Sequence, residues 1–321
     1  MTEYFIAWWN LENLFDTLDS PTRPAWLQQK LKHELKGWDE AVVTRKIGQL
    51  TSIISQMNEG RGPDILGVCE IENQAVFEKL RDAVAPLGRN YALAHHDTAD
   101  QRGIDIAFMY DDNLFAFENQ FDYVVLKRNA TRDLFQVSLK IRASGRDLVL
   151  VGNHWPSRLG GQYESEPYRI IAAETLSYWH ERIKEYKGSD VPIVVMGDFN
   201  DEPFNRSLTD YALSTQSRAK VLRSRNPRLF NLMWPLMGRA LGSHFYNNFP
   251  GMLDQFLVSK GLLLQSAPLK ARLDSARIER FPEMQTGSYD VPRRFSRPSS
   301  SSYDEDGYSD HFPISMILEE Q

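Results

Sequence analysis

Ile193-Val194-Val195-Met196-Gly197-Asp198-Phe199-Asn200-Asp201-Glu202-Pro203 is an apolar run that ends abruptly in acids and an amide. A short unbroken apolar run is the pattern of a strand covered on both faces. At its end, Asp198 and Asn200 are two residues apart, so in an extended segment their side chains point the same way. A carboxylate there can orient or deprotonate a water, and an amide NH₂ can hold a substrate oxygen or the carboxylate itself. Gly197 leaves room for a close backbone approach, and Pro203 ends the turn. Alone, the same residues also suit an ordinary polar strand end.

Three other clusters repeat the arrangement: Trp9-Asn10-Leu11-Glu12, Val68-Cys69-Glu70 and Ser309-Asp310-His311. Spread over the whole length, they predict one pocket assembled from strand ends. Hard carboxylate and amide oxygens suit Mg²⁺ or Mn²⁺ and poorly suit zinc or copper. An ionised carboxylate closing an apolar strand needs a partner, because burying it unpaired costs several kcal/mol. For Glu70, Asp198 and Asp310 that partner is either a metal ion or an arginine. His154, in Gly152-Asn153-His154-Trp155-Pro156-Ser157-Arg158, closes another apolar run. It can donate to a phosphate oxygen or protonate a leaving group, or be a structural histidine. Arg158 offers a bidentate phosphate clamp or a surface ion pair. A catalytic His311 needs an orienting carboxylate, for which Asp254 is the candidate; a strand-end turn is the other reading of Asp254.

Strands are expected at Tyr4–Trp9, Ile65–Ile71, Ile104–Tyr110, Tyr123–Leu126, Leu134–Ile141, Leu148–Asn153, Ile193–Met196, Leu253–Val258 and Phe312–Leu318. Amphipathic helices are expected at Ala41–Met57, Asn73–Val84 and Pro167–Tyr186, the last with Pro167 in its first turn and Glu166 at its positive start. Strands follow helices in some places and one another in others, which predicts an α/β protein of mixed sheets with helices outside. Asp19–Trp38 reads as a surface insertion with a short helix, and Arg293–Asp306 as a mobile loop that could guard the site. With 321 residues, and a site drawing on both ends, a single domain over 1–321 is expected.

The single cysteine, Cys69, closes an apolar run and reads as a buried, inert thiol. No basic leader precedes a long apolar stretch, and no segment reaches membrane-span length, so no membrane is involved. A cytoplasmic location is expected, or a secreted one if a signal peptide has been removed. The net charge of −6 is uneven. Residues 218–297 hold 14 Lys and Arg against 5 Asp and Glu, a net of +9, while the remainder carries −15. That basic stretch, with Arg293 and Arg294 near its end, is either a polyanion-binding surface or ordinary solvated surface.

The blocks WNLENLFD from Trp9, DILGVCEIEN from Asp64, RGIDIAFMY from Arg102, GNHWPSR from Gly152, VVMGDFNDEP from Val194, LDQFLVS from Leu253 and GYSDHFPI from Gly307 occur in one order over the whole chain. In that ordered set the sequence resembles the endonuclease/exonuclease/phosphatase superfamily, the group of pancreatic deoxyribonuclease and exonuclease III, and most closely its bacterial nuclease-type members. The resemblance implies a four-layer α/β sandwich, two mixed sheets packed face to face and flanked by helices. It implies Glu70 as principal metal ligand, with Asn10, Glu12 and Asp310 completing the metal and phosphate surroundings. Asp198 would position or activate the attacking water, Asn200 would contact the phosphate, His311 paired with Asp254 would bind non-bridging oxygens, and His154 would sit near the leaving group. Arg158, Arg102, Arg169, Arg293 and Arg294 are the substrate-binding candidates. The expected activity is Mg²⁺- or Mn²⁺-dependent hydrolysis of nucleic acid, with DNA favoured.

Other readings stand beside this one. A phosphatase or phosphodiesterase acting on inositol-phosphate or phospholipid headgroups would be favoured by an exposed apolar loop, for which Leu232–Met237 is the candidate. The inositol branch carries a tryptophan-cysteine-aspartate-arginine block where this chain has Pro250-Gly251-Met252-Leu253-Asp254. A calcineurin-type dinuclear phosphatase is mimicked by Gly197–Asp201 and Gly152–His154. However, the order is reversed, Trp155 replaces the expected acid, and no Asp-x-His opens the chain. A non-catalytic binding protein is opposed by the retained Glu70, Asp198, Asn200, Asp254, Asp310 and His311.

Overall fold

Alternation along β1 (Thr2–Leu14) explains the architecture in small compass. Ile6 and Trp8 point to one side and join Phe108, Phe135, Leu150, Met196 and Phe256 in a core between two sheets. Phe5, Ala7 and Trp9 point to the other, into a core beneath helices. A strand buried on both faces has no polar alternation, which is why its sequence is near-continuously apolar. The computed structural model of the chain describes residues 1–321 except Ala99 and Asn129.

The other strands are β2 (Ile65–Ile71), β3 (Tyr91–His95), β4 (Asp105–Asp111), β5 (Phe115–Tyr123), β6 (Leu134–Ile141), β7 (Asp147–His154), β8 (Ile193–Asp198), β9 (Ser214–Thr215), β10 (Leu229–Asn231), β11 (His244–Tyr246), β12 (Phe249–Gly251), β13 (Asp254–Val258), β14 (Leu269–Ala271), β15 (Arg277–Ile278), β16 (Gln285–Thr286), β17 (Val291–Pro292) and β18 (Ile314–Glu320). One sheet runs β14-β18-β1-β2-β4-β3, with β15 also on β18; the other runs β5-β6-β7-β8-β13-β10-β9. Both are mixed: β1–β2 and β7–β8 are parallel, while β1–β18 and β8–β13 are antiparallel. Helices Glu40–Ile54 and Gln74–Ala83 cover the first sheet, and Gln162–Lys187 covers the second. The result is the expected four-layer α/β sandwich.

Several local expectations are corrected. The strand expected at Tyr123–Leu126 lies earlier: β5 ends at Tyr123, an edge strand with Phe117 and Phe121 exposed, and coil follows. The long helix begins at Gln162, so Pro167 lies in its second turn and Glu164 is the first-turn acid. Pro167 has no N–H for the bond it would otherwise donate back along the helix. Asp19–Trp38 does contain a short helix, Ala25–Leu31, but it is no loose surface insertion. Leu27, Leu31, Leu35 and Trp38 are buried, and Arg23 is buried against Glu72. Leu232 and Met233 belong to the inter-sheet core, with Leu236 and Met237 packed on it, so that segment is not an exposed apolar loop.

The two sheets come close together at Gly67, as they do at Gly152. A Cβ on Gly67 would lie 2.7 Å from the Trp8 ring and 3.0 Å from Met196 Sδ and from Phe108. Gly67→Ala should therefore destabilise the protein by about 1–3 kcal/mol through overpacking, read as a lower urea midpoint with unchanged slope. An unaltered midpoint would show that the sheets do not meet there.

Candidate active site

The C-terminal ends of β1, β2, β7 and β8 lie side by side across the two sheets, and the antiparallel β13 and β18 bring their starts to the same end. This convergence delivers Asn10, Glu70, His154, Asp198, Asp254 and His311 to one place. All six are buried.

Asp198 sits at the middle. Asn10 Nδ2 donates to its Oδ2 at 3.2 Å and Asn200 Nδ2 at 3.3 Å, while the Asn200 backbone N–H donates to Oδ1 at 2.9 Å. Asn200 holds this pose with φ of 50°, a left-handed conformation that asparagine tolerates. His311 Nε2 stands 3.9 Å and His154 Nε2 3.8 Å from the same carboxylate. Burial, opposed by His311 and reinforced by the neighbouring Asp254 and Glu70, pushes the Asp198 pKa up to about 6.

His311 is oriented from behind. Its Nδ1 meets Asp254 Oδ2 at 2.6 Å, and the Trp8 indole N–H donates to Asp254 Oδ1 at 3.1 Å. Burial lowers the imidazole's pKa, but Asp254, Asp198 and Asp310 more than offset it and hold it well above the ordinary histidine value, favouring the imidazolium. His154 is the opposite case. Burial and the charges of Arg132, Arg102 and His311 keep it neutral. Its Nε2 lies 3.6 Å from Glu70.

Glu70 closes β2 in a bulge where the register with β4 slips, and its φ is 64°. Bulges beside sites re-aim side chains, and a left-handed glutamate costs of order 1–3 kcal/mol. Asn13 N–H donates to Glu70 Oε2 at 2.9 Å, and Arg102 reaches Oε1 at 3.3 Å. Burial raises its pKa, yet Arg102, Arg132 and His311 outweigh that and keep it ionised. Asp310 is partly exposed, with Arg294 at 3.6 Å. Asp310, His311 and His244 bring ligand-capable atoms within 4.8 Å of one another. The Glu70 and Asp310 carboxylates both act on the buried Lys46 ammonium and on Arg294, which places them around the same cations. Their hard oxygens fit a divalent ion of the magnesium type.

Other expected residues take different places. Both Glu12 oxygens are engaged, by Arg294 Nε at 2.9 Å and by the Phe295 N–H at 2.9 Å, and Lys46 Nζ donates to its backbone carbonyl. Glu12 is an anchor for the 293–306 segment more than a free ligand. That segment is fastened, not loose. Arg293 pairs with Asp304 and Asp306, Arg297 with Glu34, and Phe295 is buried against Trp38. Arg293 and Arg294 are thereby committed to ion pairs, as are Arg272 and Arg277 elsewhere in the basic stretch. Arg169 is withdrawn as a substrate group, being fully buried with Nε 2.8 Å from Asp201. Arg158 props the loop after Asp198, Nε donating to the Asn200 carbonyl at 2.7 Å. Arg102 remains accessible, in a cleft it shares with Lys127, Arg132, Ser157 and Tyr168.

Lys46, Arg132, Trp8 and His244 are site neighbours that the sequence pattern did not single out. Trp8 alone had a signal, an indole on the inner face of the strand that ends in Asn10. The others come from a helix face, a loop and a hairpin with no local signature.

The sequence profile of the Endonuclease/Exonuclease/phosphatase family matches residues 5–320. The chain belongs to the endonuclease/exonuclease/phosphatase family. No curated protein matches it by sequence. Among solved structures, this family member is similar to the mannosyl-6-phosphatase of Bacteroides thetaiotaomicron, at 17% identity and TM-score 0.58, covering 98% of this chain and 99% of that one. The human Nocturnin catalytic domain with bound sulfate gives 17% identity and TM-score 0.58 over 99% and 95% of the two chains. D. rerio TDP2 complexed with single strand DNA product gives 13% and 0.59 over 99% and 100%. At such identities the likeness establishes a shared fold. Among the described residues no helix is long and apolar enough to cross a membrane.

Because Asp198 titrates higher in the fold than its ordinary value of 3.8, ionising it opposes folding. The cost is absent below pH 4, grows as pH rises and is complete above about 6. In metal-free protein, Asp198→Asn should raise stability at pH 8 by roughly 2–3 kcal/mol, an advantage that vanishes towards pH 4. Thermal melts in chelator across that range check it, and a destabilised variant at pH 8 would refute the buried-charge account. Arg294→Ala should leave Glu12 buried without its partner, costing about 1–3 kcal/mol. Faster hydrogen exchange at Phe295–Tyr303 should accompany the loss.

Proposed function

We propose that this protein is a divalent-metal-dependent phosphodiesterase, a nuclease with DNA as favoured substrate, working as a single domain over residues 1–321. The observation that carries the reading is the meeting of Glu70, Asp198, His154 and the His311–Asp254 pair from distant segments of the chain. Glu70 and Asp310 would hold Mg²⁺ or Mn²⁺, with Asn10 alongside. When bound, such an ion neutralises phosphate charge and supports the departing oxygen.

The chain's own residues account for the rest. Asp198, held by Asn10 and Asn200, is aimed at one point, and a carboxylate titrating near 6 is a fitting acceptor for a proton from water. His311, a cation fixed by Asp254, can hold the non-bridging oxygens as charge grows on them. Neutral His154 can donate a hydrogen bond to the oxygen that leaves. Arg102, partly exposed beside Glu70, and Lys127 in the same cleft offer positive surface for a polyanion. The shared fold with D. rerio TDP2, which is complexed with a single strand DNA product, adds support for a nucleic acid.

The mannosyl-6-phosphatase likeness keeps a monoester reading in view. Plasmid DNA, single-stranded oligonucleotide, RNA, sugar phosphate, inositol phosphate and sphingomyelin, each with Mg²⁺ and with chelator, separate the two. Chelator-sensitive cutting of nucleic acid alone is expected; turnover of the monoesters or lipid without it would overturn the nuclease reading. Asp198→Ala should lower kcat by at least about a hundredfold with the fold intact. Glu70→Ala should lower activity and shift the Mg²⁺ titration to higher concentration, and an unshifted titration would remove its ligand role.

A further inference from the structure

The hairpin formed by β11 and β12 is not used by the chemistry above, yet it is built against it. His244 forms an isolated antiparallel bridge with His311, and their rings lie 4.7 Å apart. In an antiparallel pair, residues directly opposite share a face, and residues two apart on one strand do too. His244 pairs with Gly251 and Tyr246 with Phe249, so these four stand on one face. Phe245 and Pro250 form the other, where Phe245 packs edge-on against Phe312. The face that meets the phosphate-binding histidine therefore continues outward as Tyr246 and Phe249, whose side chains the core does not cover: they are 74% and 77% exposed. Asn247 and Asn248 close the turn with φ of 49° and 66°. Both central residues left-handed is the two-residue turn that matches strand twist, so the aromatic pair stands on a short, defined tip and not a slack loop.

We propose that Tyr246 and Phe249 form a stacking platform for an unpaired base of single-stranded nucleic acid, one nucleotide along from the phosphate held at His311. This rests on the phosphodiesterase reading. Two residues along a strand span about 7 Å, close to the spacing of successive phosphates in an extended single strand. Aromatic faces accept any base, so the platform selects for unpaired strand and not for sequence. The neighbouring charges suit the same ligand: Arg158 and Arg294 lie near enough to His244 to disfavour its protonation. A paired base in duplex has no free face to offer, and a bare sugar phosphate has no flat aromatic face to stack.

The test compares wild type with Tyr246→Ala, Phe249→Ala and the double variant on three substrates with Mg²⁺. These are an oligothymidylate, an abasic oligomer of equal length, and methyl p-nitrophenyl phosphate. The side chains are exposed, so circular dichroism and melting should change little. Stacking predicts that kcat/KM on oligothymidylate falls about tenfold to a hundredfold, mostly through KM, with turnover of the other two unchanged. Tyr246→Phe and Phe249→Trp should retain activity. Equal losses on all three substrates, with a lowered melting temperature, would mean the pair only stabilises the hairpin, and no loss on oligothymidylate would remove the platform. Failure of the wild type to cut either oligomer would instead overturn the nucleic-acid reading, and this proposal with it.

Discussion

Five carboxylates, Glu12, Glu70, Asp198, Asp254 and Asp310, crowd one end of the sandwich, and the surroundings are arranged to keep them there. Like charges in a low-dielectric interior either neutralise or find cations. Each solution occurs. Glu12 is clamped by Arg294 and lies over Lys46, Glu70 faces Arg102, and Asp254 is bonded to an imidazolium. Asp198, at the centre, has the least compensation, and its affinity for a proton rises accordingly. One crowded cluster thus produces a carboxylate that stays ionised at Glu70, one that binds a proton more readily at Asp198 and an imidazolium fixed at His311. A further cation near Glu70 and Asp310 would relieve the same repulsion.

Backbone geometry shares the task. Glu12, Asn13, Glu70 and Asn200 all have positive φ, and the first three coincide with register slips in β1–β2 and β2–β4. A regular strand would send alternate side chains to opposite faces. The bulges break that alternation where the strands end, so acids from two neighbouring strands can turn towards one pocket. The strain is carried by sheets whose inner and outer faces are both buried, which leaves little room for relaxation.

Two segments that look peripheral in sequence are joined to this end of the molecule. Trp38, from the insertion near the start, packs against Phe15 and Phe295, and Arg297 from the late segment reaches Asn13 and Glu34. Glu12 receives the Phe295 N–H. The late segment is therefore strapped over the rim by the same acids that line the site. Arg272, Arg277, Arg293 and Arg294 each hold an ion pair with an acid of the protein, and Arg102 adds a partly exposed positive group beside Glu70.

Much of the sandwich was legible in the residues, because a strand or helix buried on both sides must be written in apolar side chains whatever its neighbours are. The runs through Trp8, Val68, Leu150 and Val195 declared the central strands, and the acids closing them declared a pocket at their ends. The edge strand Phe115–Tyr123, half solvated, carried no such signal, and the start of the long helix was misplaced because Gly161 caps it without a side-chain acceptor, leaving Pro167 as the visible start signal. Which arginine meets substrate and which meets a buried acid depends on distances between residues far apart in the chain. Arg169 finding Asp201, Arg294 finding Glu12 and His244 finding His311 were decided only when the sheets closed, since charge pairing is settled by proximity in space and leaves no mark on local pattern.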